Sequence, residues 1–452
     1  MNDGPMKTSP IFRMIACALT GLASLIGFAG PTAPDSGESA LHLQDARRLA
    51  FERNWDLLAA RANVDLADAQ RLIARELPNP TVSLSTTKIP SNGSPSSTRL
   101  GNSLIHRSYD SVIAFNQLIE IGGKRGARKA SALAGYQGAN ARLAEARRQL
   151  ELAVNTAYVG VLSAEEQARV LRASAASLRQ EASIADSRVK AGDLSLADRD
   201  QISISADRLE LDAQRAEADA RTARIQLETL LGSTAPEGHL ALADSLADLS
   251  ALPDPKLPGT EHFDIFSRPD VVAAETDSRK AKADLQFQKA MRIPDPTILA
   301  QYEREPPDQS DTVGFGFSFP LPLFNLNRGN ISAAQSAVEQ AEIRARQAAA
   351  KAQADVAVAE HELTTARERK YRFESDIAPR SAAIVTTIRY AYQKGGASLV
   401  DLLSAERNDN EVRIALATAK ADYVIAQAAY AAAISDLERH QRSPSSSVHA
   451  KP

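Results

Sequence analysis

Apolar residues recur at seven-residue spacing over long stretches of the chain, which is the pattern of helices that pack side by side. The longest stretch, residues 122–191, contains no proline, and as a helix it would measure roughly 100 Å. A second stretch, residues 330–394, is interrupted only by Pro379. Shorter periodic stretches follow after Gly192 and Gly395. We therefore expect two antiparallel helical hairpins that bend near these glycines and pack on neighbouring helices through alanine-rich seams.

Before each long helix, two short segments alternate apolar and polar residues and predict a pair of β-strands. The predicted strands cover residues 81–88, 111–118, 297–303 and 312–319. The last strand has the clearest alternation, with one face formed by Val313, Phe315, Phe317 and Phe319 and the other by Gly314, Gly316 and Ser318. At about 8 to 10 residues, each strand is near the length that crosses a bilayer when tilted. A soluble β-sheet is the alternative interpretation.

The chain also contains a duplication with a period of about 200 residues, marked by four landmarks in the same order. The matched segments are residues 53–60 and 268–274, 77–82 and 293–298, 124–126 and 327–329, and 192–198 and 395–401. We assign the first structural repeat to residues 41–232, with its helical hairpin at 122–231, and the second to residues 261–438, with its hairpin at 329–437. Between them lies a linker, residues 233–260, whose proline-rich part, residues 244–259, we expect to be extended and packed on the outside of the helices. Residues 439–452 form a polar tail that we expect to be disordered.

The N-terminus has the features of a secretory signal peptide, which we assign to residues 1–29. A positively charged region precedes the uncharged apolar residues 14–30, and Ala29 is the expected cleavage position. A transmembrane anchor is the alternative, but glycine, alanine and proline follow directly. The single cysteine, Cys17, lies inside this segment, so the mature protein would hold no disulfide. No later stretch reaches the roughly 18 uninterrupted apolar residues of a membrane-spanning helix, so a place in a membrane requires strands.

Charge and motif content argue against several classes of function. Lys and Arg number 53 against 56 Asp and Glu, and the resulting net charge of −3 gives no electrostatic reason to expect nucleic acid as a partner. The 7 histidines are scattered without metal-ligand spacing, and residues 122–126 lack the spacing of a phosphate-binding loop. We therefore expect no enzyme activity, no cofactor and no tightly held metal.

The four predicted strands per chain are too few to close a barrel, and an open sheet edge in hydrocarbon leaves unpaired backbone groups that cost several kcal/mol each. Sister subunits must therefore complete the wall. Three copies would supply about 12 strands, an even number within the usual range, and as many long helix segments for a second barrel. The predicted fold is mainly α with membrane β-strands. As a homotrimer it would form a 12-stranded β-barrel, in contact with membrane lipid, above an α-helical barrel.

The chain resembles the TolC family of outer-membrane efflux proteins in its duplicated plan, its Asn/Asp-Pro-Thr strand starts and its two Gly-x-x-Ser-Leu-x-Asp turns. Residues 117–125 and 319–330 resemble the cobalt–zinc–cadmium resistance branch in particular, and the resemblance extends over residues 41–437. It implies a trimeric channel in the outer membrane of a Gram-negative cell, with a long periplasmic extension. It also implies that the channel docks to a periplasmic adaptor and an RND-type inner-membrane pump and exports heavy-metal cations.

Two alternatives stay open beside this interpretation. Within the family, the duct would serve drug efflux or protein secretion instead of metal export. Outside it, a periplasmic coiled-coil adaptor also carries a long helical hairpin. An adaptor has one hairpin flanked by β-rich domains, whereas this chain has two predicted hairpins, each preceded by a strand pair.

The resemblance assigns roles to residues at the hairpin tips, beside Gly192 and Gly395. Asp401 matches an aspartate that lines a narrow aperture, and Tyr392 and Asp198 match members of a polar link that holds the closed state. Three Asp401 carboxylates in a ring would concentrate cations and raise one another's pKa. The alternative is that Asp198 and Asp401 cap the helices that restart after each glycine. We favour the aperture role for Asp401 and leave both roles open for Asp198.

Two tip positions depart from the family's best-known member. Ser404 stands where that protein has a second aperture aspartate, and Ala397 stands where it has a linking arginine. The aperture is therefore expected to be less anionic and the closed state to be held differently. Lys394 and Arg199 are the nearby basic candidates for that role.

Overall fold

The computed structural model describes residues 40–87, 110–252, 264–305 and 310–434. All of these belong to one structural unit that begins at Ala40. The predicted signal peptide and polar tail lie outside the described residues, as do parts of the linker and of both strand-connecting loops. No helix in the described ranges has the length and apolar character needed to cross a membrane.

Helices and strands run in the same order in both halves of the chain. In the first half, the elements are α1 (Leu43–Arg53), α2 (Trp55–Ile73), β1 (Thr81–Thr87), β2 (Asp110–Leu118), α3 (Lys124–Lys190) and α4 (Leu196–Leu230). A short helix, α5 (Leu246–Ala251), lies in the linker. The second half contains α6 (Pro269–Ala290), β3 (Thr297–Glu305), β4 (Ser310–Ser318), α7 (Arg328–Arg372), α8 (Ala378–Gln393) and α9 (Leu399–Ala433).

The strands of the second half differ slightly from the predicted 297–303 and 312–319. β3 continues to Glu305 and β4 begins at Ser310, because these two residues still pair across the hairpin. The sequence alternation fades there, but the ladder of backbone hydrogen bonds does not depend on which side chains it carries.

Each long helix is flanked by two shorter helices in succession. α3 packs on α2 near its start, where the Arg71 guanidinium lies 4.4 Å from the centre of the Tyr136 ring. Farther along it packs on α4, where Arg224 pairs with Glu165 at 2.8 Å. α6 and α9 flank α7 in the same way, and contacts of α3 with α6 and α9 join the two halves. Small seam residues allow this packing, since interhelical distance is set by the side chains at the contact.

The largest apolar cluster includes the middle of α3 and is closed by the N-terminal segment and the linker. The Tyr158 hydroxyl lies 2.7 Å from the carbonyl of Leu41 and 2.9 Å from the carboxylate of Asp244. Leu41 forms a parallel bridge with Leu242. The Asp244 carboxylate also bonds His42 at 2.8 Å, and this hydrogen bond raises the pKa of the His42 imidazole. The linker is therefore fastened to the helices by both apolar and polar contacts.

The prediction that the linker is extended is wrong for the part that forms α5. The Ser245 hydroxyl accepts a hydrogen bond from the amide of Asp248 at 3.1 Å and so caps this short helix. Leu246 and Leu249 are buried against the large apolar cluster. Capping and burial together stabilise one helical turn that the proline-rich composition did not suggest.

α7 and α8 are joined by one π-helical turn, Phe373–Ile377, just before Pro379. Proline lacks an N–H, and its ring collides with the carbonyl four residues earlier in a regular α-helix. The wider turn accommodates the proline. Helical structure therefore continues past Pro379 into α8.

Candidate functional site

The four strands form one antiparallel sheet in the order β1-β2-β3-β4, which brings the two halves of the chain side by side. β2 pairs with β3 across the repeat boundary, with Phe115 opposite Ala300 and Ile113 opposite Tyr302. β1 and β4 are therefore edges. Each edge carries a row of backbone N–H and C=O groups that no other strand of the described chain pairs.

The register collects the large apolar side chains of the strands on one side of the sheet, which we call the apolar face. Its rows join Leu84, Ile113, Tyr302 and Val313, then Val82, Phe115, Ala300 and Phe315. In a single chain this face is uncovered, since Phe315 is 83% exposed, Phe317 74% and Leu84 71%. Exposed apolar surface of this extent marks a contact with lipid or with another protein.

The opposite side of the sheet is mostly polar or small. Its rows join Ser83, Ala114, Gln301 and Gly314, then Ser85, Val112, Glu303 and Thr312. A sheet with lipid on one side and water on the other requires this division of side chains. The arrangement therefore suits the wall of a water-filled passage.

Basic residues at the start of α3 attach the sheet to the helices. The Lys124 ammonium lies 2.7 Å from the carboxylate of Asp295, which precedes β3. Arg128 pairs with Glu120 at 2.6 Å and also donates to the carbonyls of Ala74 and Glu76, just after the end of α2. A cation at a helix C-terminus satisfies free carbonyls and complements the helix dipole. Sequence reasoning missed these contacts because the partners lie far apart along the chain.

Both hairpins turn by the same local structure at their tips. Gly192 follows α3 with a φ of 83°, and Gly395 follows α8 with a φ of 78°. Glycine adopts these left-handed values without strain. The amide of Asp193 bonds the carbonyl of Arg188 at 2.9 Å, and the corresponding bond closes the second turn. The bends are therefore helix C-caps of the Schellman type.

Serines are the N-caps of the returning helices. The hydroxyl of Ser195 accepts from the amide of Asp198 at 3.1 Å, and that of Ser398 accepts from the amide of Asp401 at 3.2 Å. The serines are the N-cap residues, because the cap requires extended backbone and the serines have it. Asp401 takes part in capping as well, because its carboxylate accepts from the Ser398 amide at 3.0 Å and completes a capping box. Hydrogen bonds from Ser398 lower the pKa of the Asp401 carboxyl.

Tyr392 lies in a small apolar cluster that connects the two tips. The buried members of that cluster are Ala185, Ile202, Tyr392, Leu399 and Leu402. The Tyr392 hydroxyl is buried and has no hydrogen-bond partner among the described residues, while the Arg188 guanidinium lies 5.8 Å from its ring centre. Burial raises the pKa of the Tyr392 hydroxyl. Tyr392 and Asp198 are not hydrogen-bonded within one chain, so their closed-state link stays a prediction.

The two residues that depart from the family pattern, Ala397 and Ser404, both lie near the tip of the second hairpin. Ala397 packs half-buried against the apolar tip cluster, and Ser404 is exposed in the first turns of α9. Of the basic candidates, Arg199 pairs with Asp186 at 3.3 Å. The Lys394 ammonium lies 5.7 Å from the centre of a tyrosine ring on α8. Both cations are therefore engaged within their own hairpins in a single chain.

A buried polar layer near the tips was not predicted. Glu406 is buried and pairs with Arg389 of α8, while the Asn410 side chain meets Ser174 of α3. Asp409 is buried as well. One signal was present, since Asp409 occupies a position of the otherwise apolar seven-residue seam. Buried polar contacts of this kind contribute specificity of packing more reliably than net stability.

The described residues contain no group of three or more His, Cys, Asp or Glu side chains placed to hold a metal ion. The described residues offer instead an apolar sheet face for contact with lipid or protein, a polar sheet face for contact with water, two free sheet edges, and the anionic Asp401 at one hairpin tip. Such features suit the wall and the mouth of a passage for solutes.

Comparison with known proteins gives a consistent result. A family model described as outer membrane efflux protein matches residues 46–233 and 266–435. The cobalt-zinc-cadmium resistance protein CzcC of Cupriavidus metallidurans is 25% identical over 384 residues, which cover 85% of this chain and 87% of CzcC. The nickel and cobalt resistance protein CnrC of the same organism is 30% identical over 288 residues, which cover 64% of this chain and 65% of CnrC. The crystal structure of the Campylobacter jejuni CmeC outer membrane channel has a similar fold, with a TM-score of 0.74, 16% identity and 88% of each chain covered.

Proposed function

On the premise that the chain belongs to the outer membrane efflux protein family, we propose that it is the outer-membrane channel of a tripartite efflux system that exports heavy-metal cations. The observation that carries the proposal is a four-stranded amphipathic sheet with two free edges, joined directly to two long helical hairpins. Such a sheet is one segment of a wall. The hairpins continue that wall away from the membrane.

Three copies of the chain complete the wall in this proposal. Each free edge would otherwise leave its N–H and C=O groups in hydrocarbon, where every unpaired group costs several kcal/mol. Pairing the β4 edge of one copy with the β1 edge of the next removes both edges at once. The apolar face then contacts lipid, and the polar face lines the passage.

The hairpin tips form the periplasmic entrance. Asp401 is exposed in the first turn of α9 and, like an ordinary aspartate, is anionic near neutral pH. Three such carboxylates around a narrow opening would attract cations before they enter. An entrance that attracts ions without binding them tightly is what conduction requires.

A periplasmic adaptor and an RND-type inner-membrane pump are the proposed partners. The adaptor would meet the exposed tip residues beside Gly192 and Gly395, because the tips lie at the far end of the hairpins from the sheet. The chain's own architecture does not suit the adaptor role. It has two hairpins, each preceded by a strand pair of the same sheet.

Heavy-metal cations are the proposed substrates because CzcC and CnrC are named as cobalt-zinc-cadmium and nickel-cobalt resistance proteins. Deleting the gene and measuring the minimal inhibitory concentrations of zinc, cobalt, cadmium and nickel tests this assignment. We expect a several-fold loss of tolerance to at least one of these metals. A plasmid copy of the gene should restore it.

The control is tolerance to hydrophobic drugs in the same deletion strain. Unchanged drug tolerance together with metal sensitivity supports the metal assignment. Unchanged tolerance to all four metals contradicts it, and sensitivity to drugs alone would favour the drug-efflux alternative.

A further inference from the structure

A belt of residues lies between the sheet and the helical hairpins, and we call it the junction belt. It consists of four segments: residues 74–80, 119–129, 288–296 and 319–328. Thr81 at the start of β1 lies opposite Asn116 near the end of β2. Thr297 at the start of β3 lies opposite Leu118 and Ser318, the last residues of β2 and β4. The belt therefore follows one end of all four strands, where the apolar face of the sheet stops.

Hydrogen bonds join the four segments into one layer. The bonds that Arg128 donates to carbonyls just after α2 join the first segment to the second. The amide of Ile121 donates to the carboxylate of Asp295 at 2.9 Å and joins the second segment to the third. The side-chain amide of Asn327 donates to the carbonyl of Gln288 at 2.7 Å and joins the third segment to the fourth. The segments therefore lie at one level of the molecule.

Basic residues outnumber acidic ones in the junction belt. Its four segments contain eight Lys and Arg but only three Asp and Glu, whereas the whole chain has a net charge of −3. Two of these cations serve the fold itself, since Lys124 is buried beside Asp295 and Arg128 pairs with Glu120. The belt therefore concentrates positive charge that the rest of the chain does not have.

Four cations of the junction belt are exposed and have no ion-pair partner among the described residues. They are Lys129, Lys289, Arg292 and Arg328. Farther back on α6, by contrast, Lys280 and Lys282 both pair with carboxylates. Like charges held at one level of a protein repel one another. Their accumulation without carboxylates therefore favours an anionic partner outside the chain.

Exposed apolar side chains lie between the strands and these cations. In the segment between β4 and α7, Leu323 is 72% exposed and Phe324 is 100% exposed. The other three segments have exposed Leu77, Ile121 and Ile293 in the corresponding place, between the strand end and the nearest cation. Apolar residues followed by Lys and Arg are typical of a membrane–water boundary, where acyl chains end and headgroups begin.

We propose that the junction belt binds the headgroups of anionic phospholipids in the periplasmic leaflet of the outer membrane. Its exposed cations contact the lipid phosphates, and its apolar residues contact the adjoining parts of the acyl chains. Two observations identify this occupant: the charge of the belt is complementary to an anionic headgroup, and the belt continues the apolar face of the sheet. The proposal rests on the outer-membrane channel proposed above and adds the class of lipid that the channel prefers.

The alternative position for the four exposed cations is inside the passage. Three copies of the chain would then surround the passage with unbalanced positive charge. A ring of Lys or Arg selects anions and opposes the entry of cations, which conflicts with the proposed cargo. Contact with lipid headgroups has no such conflict, and an experiment can separate the two positions.

Spin-labelled lipids measure the lipid preference directly. The purified mature protein is reconstituted into phosphatidylcholine vesicles with a trace of spin-labelled phosphatidylglycerol or spin-labelled phosphatidylcholine. The fraction of each labelled lipid that the protein immobilises is then compared. At low salt the parent chain should prefer phosphatidylglycerol about fivefold, the effect of roughly one basic residue on an anionic headgroup. In about 0.5 M salt the preference should disappear, because exposed charges are then screened within a few ångströms.

The test variant removes the exposed charge of the belt and leaves Lys124 and Arg128 in place. Its substitutions are Lys129→Gln, Lys289→Gln, Arg292→Gln and Arg328→Gln. The matched control removes the same charge from exposed cations farther along the hairpins. Its substitutions are Arg208→Gln, Arg215→Gln, Lys351→Gln and Arg407→Gln. The test variant should immobilise both lipids about equally, whereas the control should keep the preference of the parent chain.

Conductance steps in a planar bilayer show that each variant still forms the channel. Loss of the preference in the test variant alone, and in the parent chain at high salt, supports the proposal. No preference in the parent chain, a preference that persists at high salt, or an equal loss in the control variant overturns it. Should the test variant fail to insert, the salt dependence of the parent chain decides.

Conduction and lipid preference distinguish failure of this proposal from failure of the channel. A test variant with unchanged lipid preference but an altered cation-over-anion permeability ratio places the cations in the passage and overturns only the lipid contact. A parent chain that forms no conducting channel in any of these lipids overturns the proposed function itself.

Discussion

Lysine in place of Phe317 tests whether the apolar face of the sheet meets lipid. The Phe317 side chain is uncovered in one chain and shares its face with Phe315 and Val313. Phe317 lies near the end of β4, where a lysine on a lipid-facing strand costs about 0–1 kcal/mol, and loss of phenylalanine burial adds roughly 1.5–3 kcal/mol. Together these contributions should lower the folding equilibrium constant of each subunit roughly 10- to 700-fold.

The assay is folding of the purified chain from urea into lipid vesicles. The urea midpoint and slope then give the free energy of unfolding in the membrane. Ser318→Lys is the matched control, because it adds the same charge one residue along the same strand but on the polar face. Phe317→Lys should lose most of its stability while Ser318→Lys stays close to the parent chain. Equal losses in both variants, or a larger loss in Ser318→Lys, would refute the assignment of the faces.

The remaining predictions concern the tips and the linker. Ser398→Ala removes the N-cap of α9 and should lower the free energy of unfolding, measured by thermal or chemical denaturation, by about 1 kcal/mol. The exposed control Ser404→Ala should change it by less than about 0.5 kcal/mol. Equal effects of the two substitutions would exclude the stabilising role of the Ser398 cap. Asp401→Asn should reduce the cation-over-anion permeability ratio measured from reversal potentials, and an unchanged ratio would remove Asp401 from the aperture. The bonded carboxylate of Asp244 raises the pKa of the His42 imidazole in the folded chain. The stability that this ion pair contributes to the folded chain is therefore complete below pH 6.5 and is lost as the pH rises through the higher folded-state pKa. His42→Gln should therefore flatten the fall in melting temperature above pH 6.5 while His361→Gln does not, and parallel pH profiles would contradict this.

The fold class could be predicted because its signals are local. The seven-residue seam of α3 and the alternation from Val313 to Phe319 depend only on residues close in sequence. Those signals, with the duplicated motifs, predicted the family, and the match over residues 46–233 and 266–435 confirms it. Closure by sister subunits follows from strand number and backbone chemistry and stays a prediction. Neither the fold class nor the closure by sister subunits required knowledge of contacts between distant parts of the chain.

Contacts between distant parts of the chain were beyond such reasoning. The Arg128 bonds to the end of α2 and the Ser174 contact with Asn410 join residues far apart in sequence. The register of β2 against β3 is likewise set by tertiary packing and not by either strand alone.

At the tips, the sequence located the glycine turns and offered Asp198 and Asp401 as alternative caps, whereas the N-cap residues are Ser195 and Ser398. Ser398 and Asp401 are both acceptable cap types, and only the backbone conformation decides between them. The aperture role of Asp401 and the closed-state link of Tyr392 and Asp198 depend on neighbouring subunits. Both therefore stay predictions.

Single-channel recording of the purified mature protein tests the central claim most directly, because only a wall completed by several chains can conduct. Detergent-extracted protein is added to a planar lipid bilayer at known ionic strength. The account predicts discrete, long-lived conductance steps from particles whose mass corresponds to three chains. A water-soluble monomer that produces no steps at any concentration would contradict it.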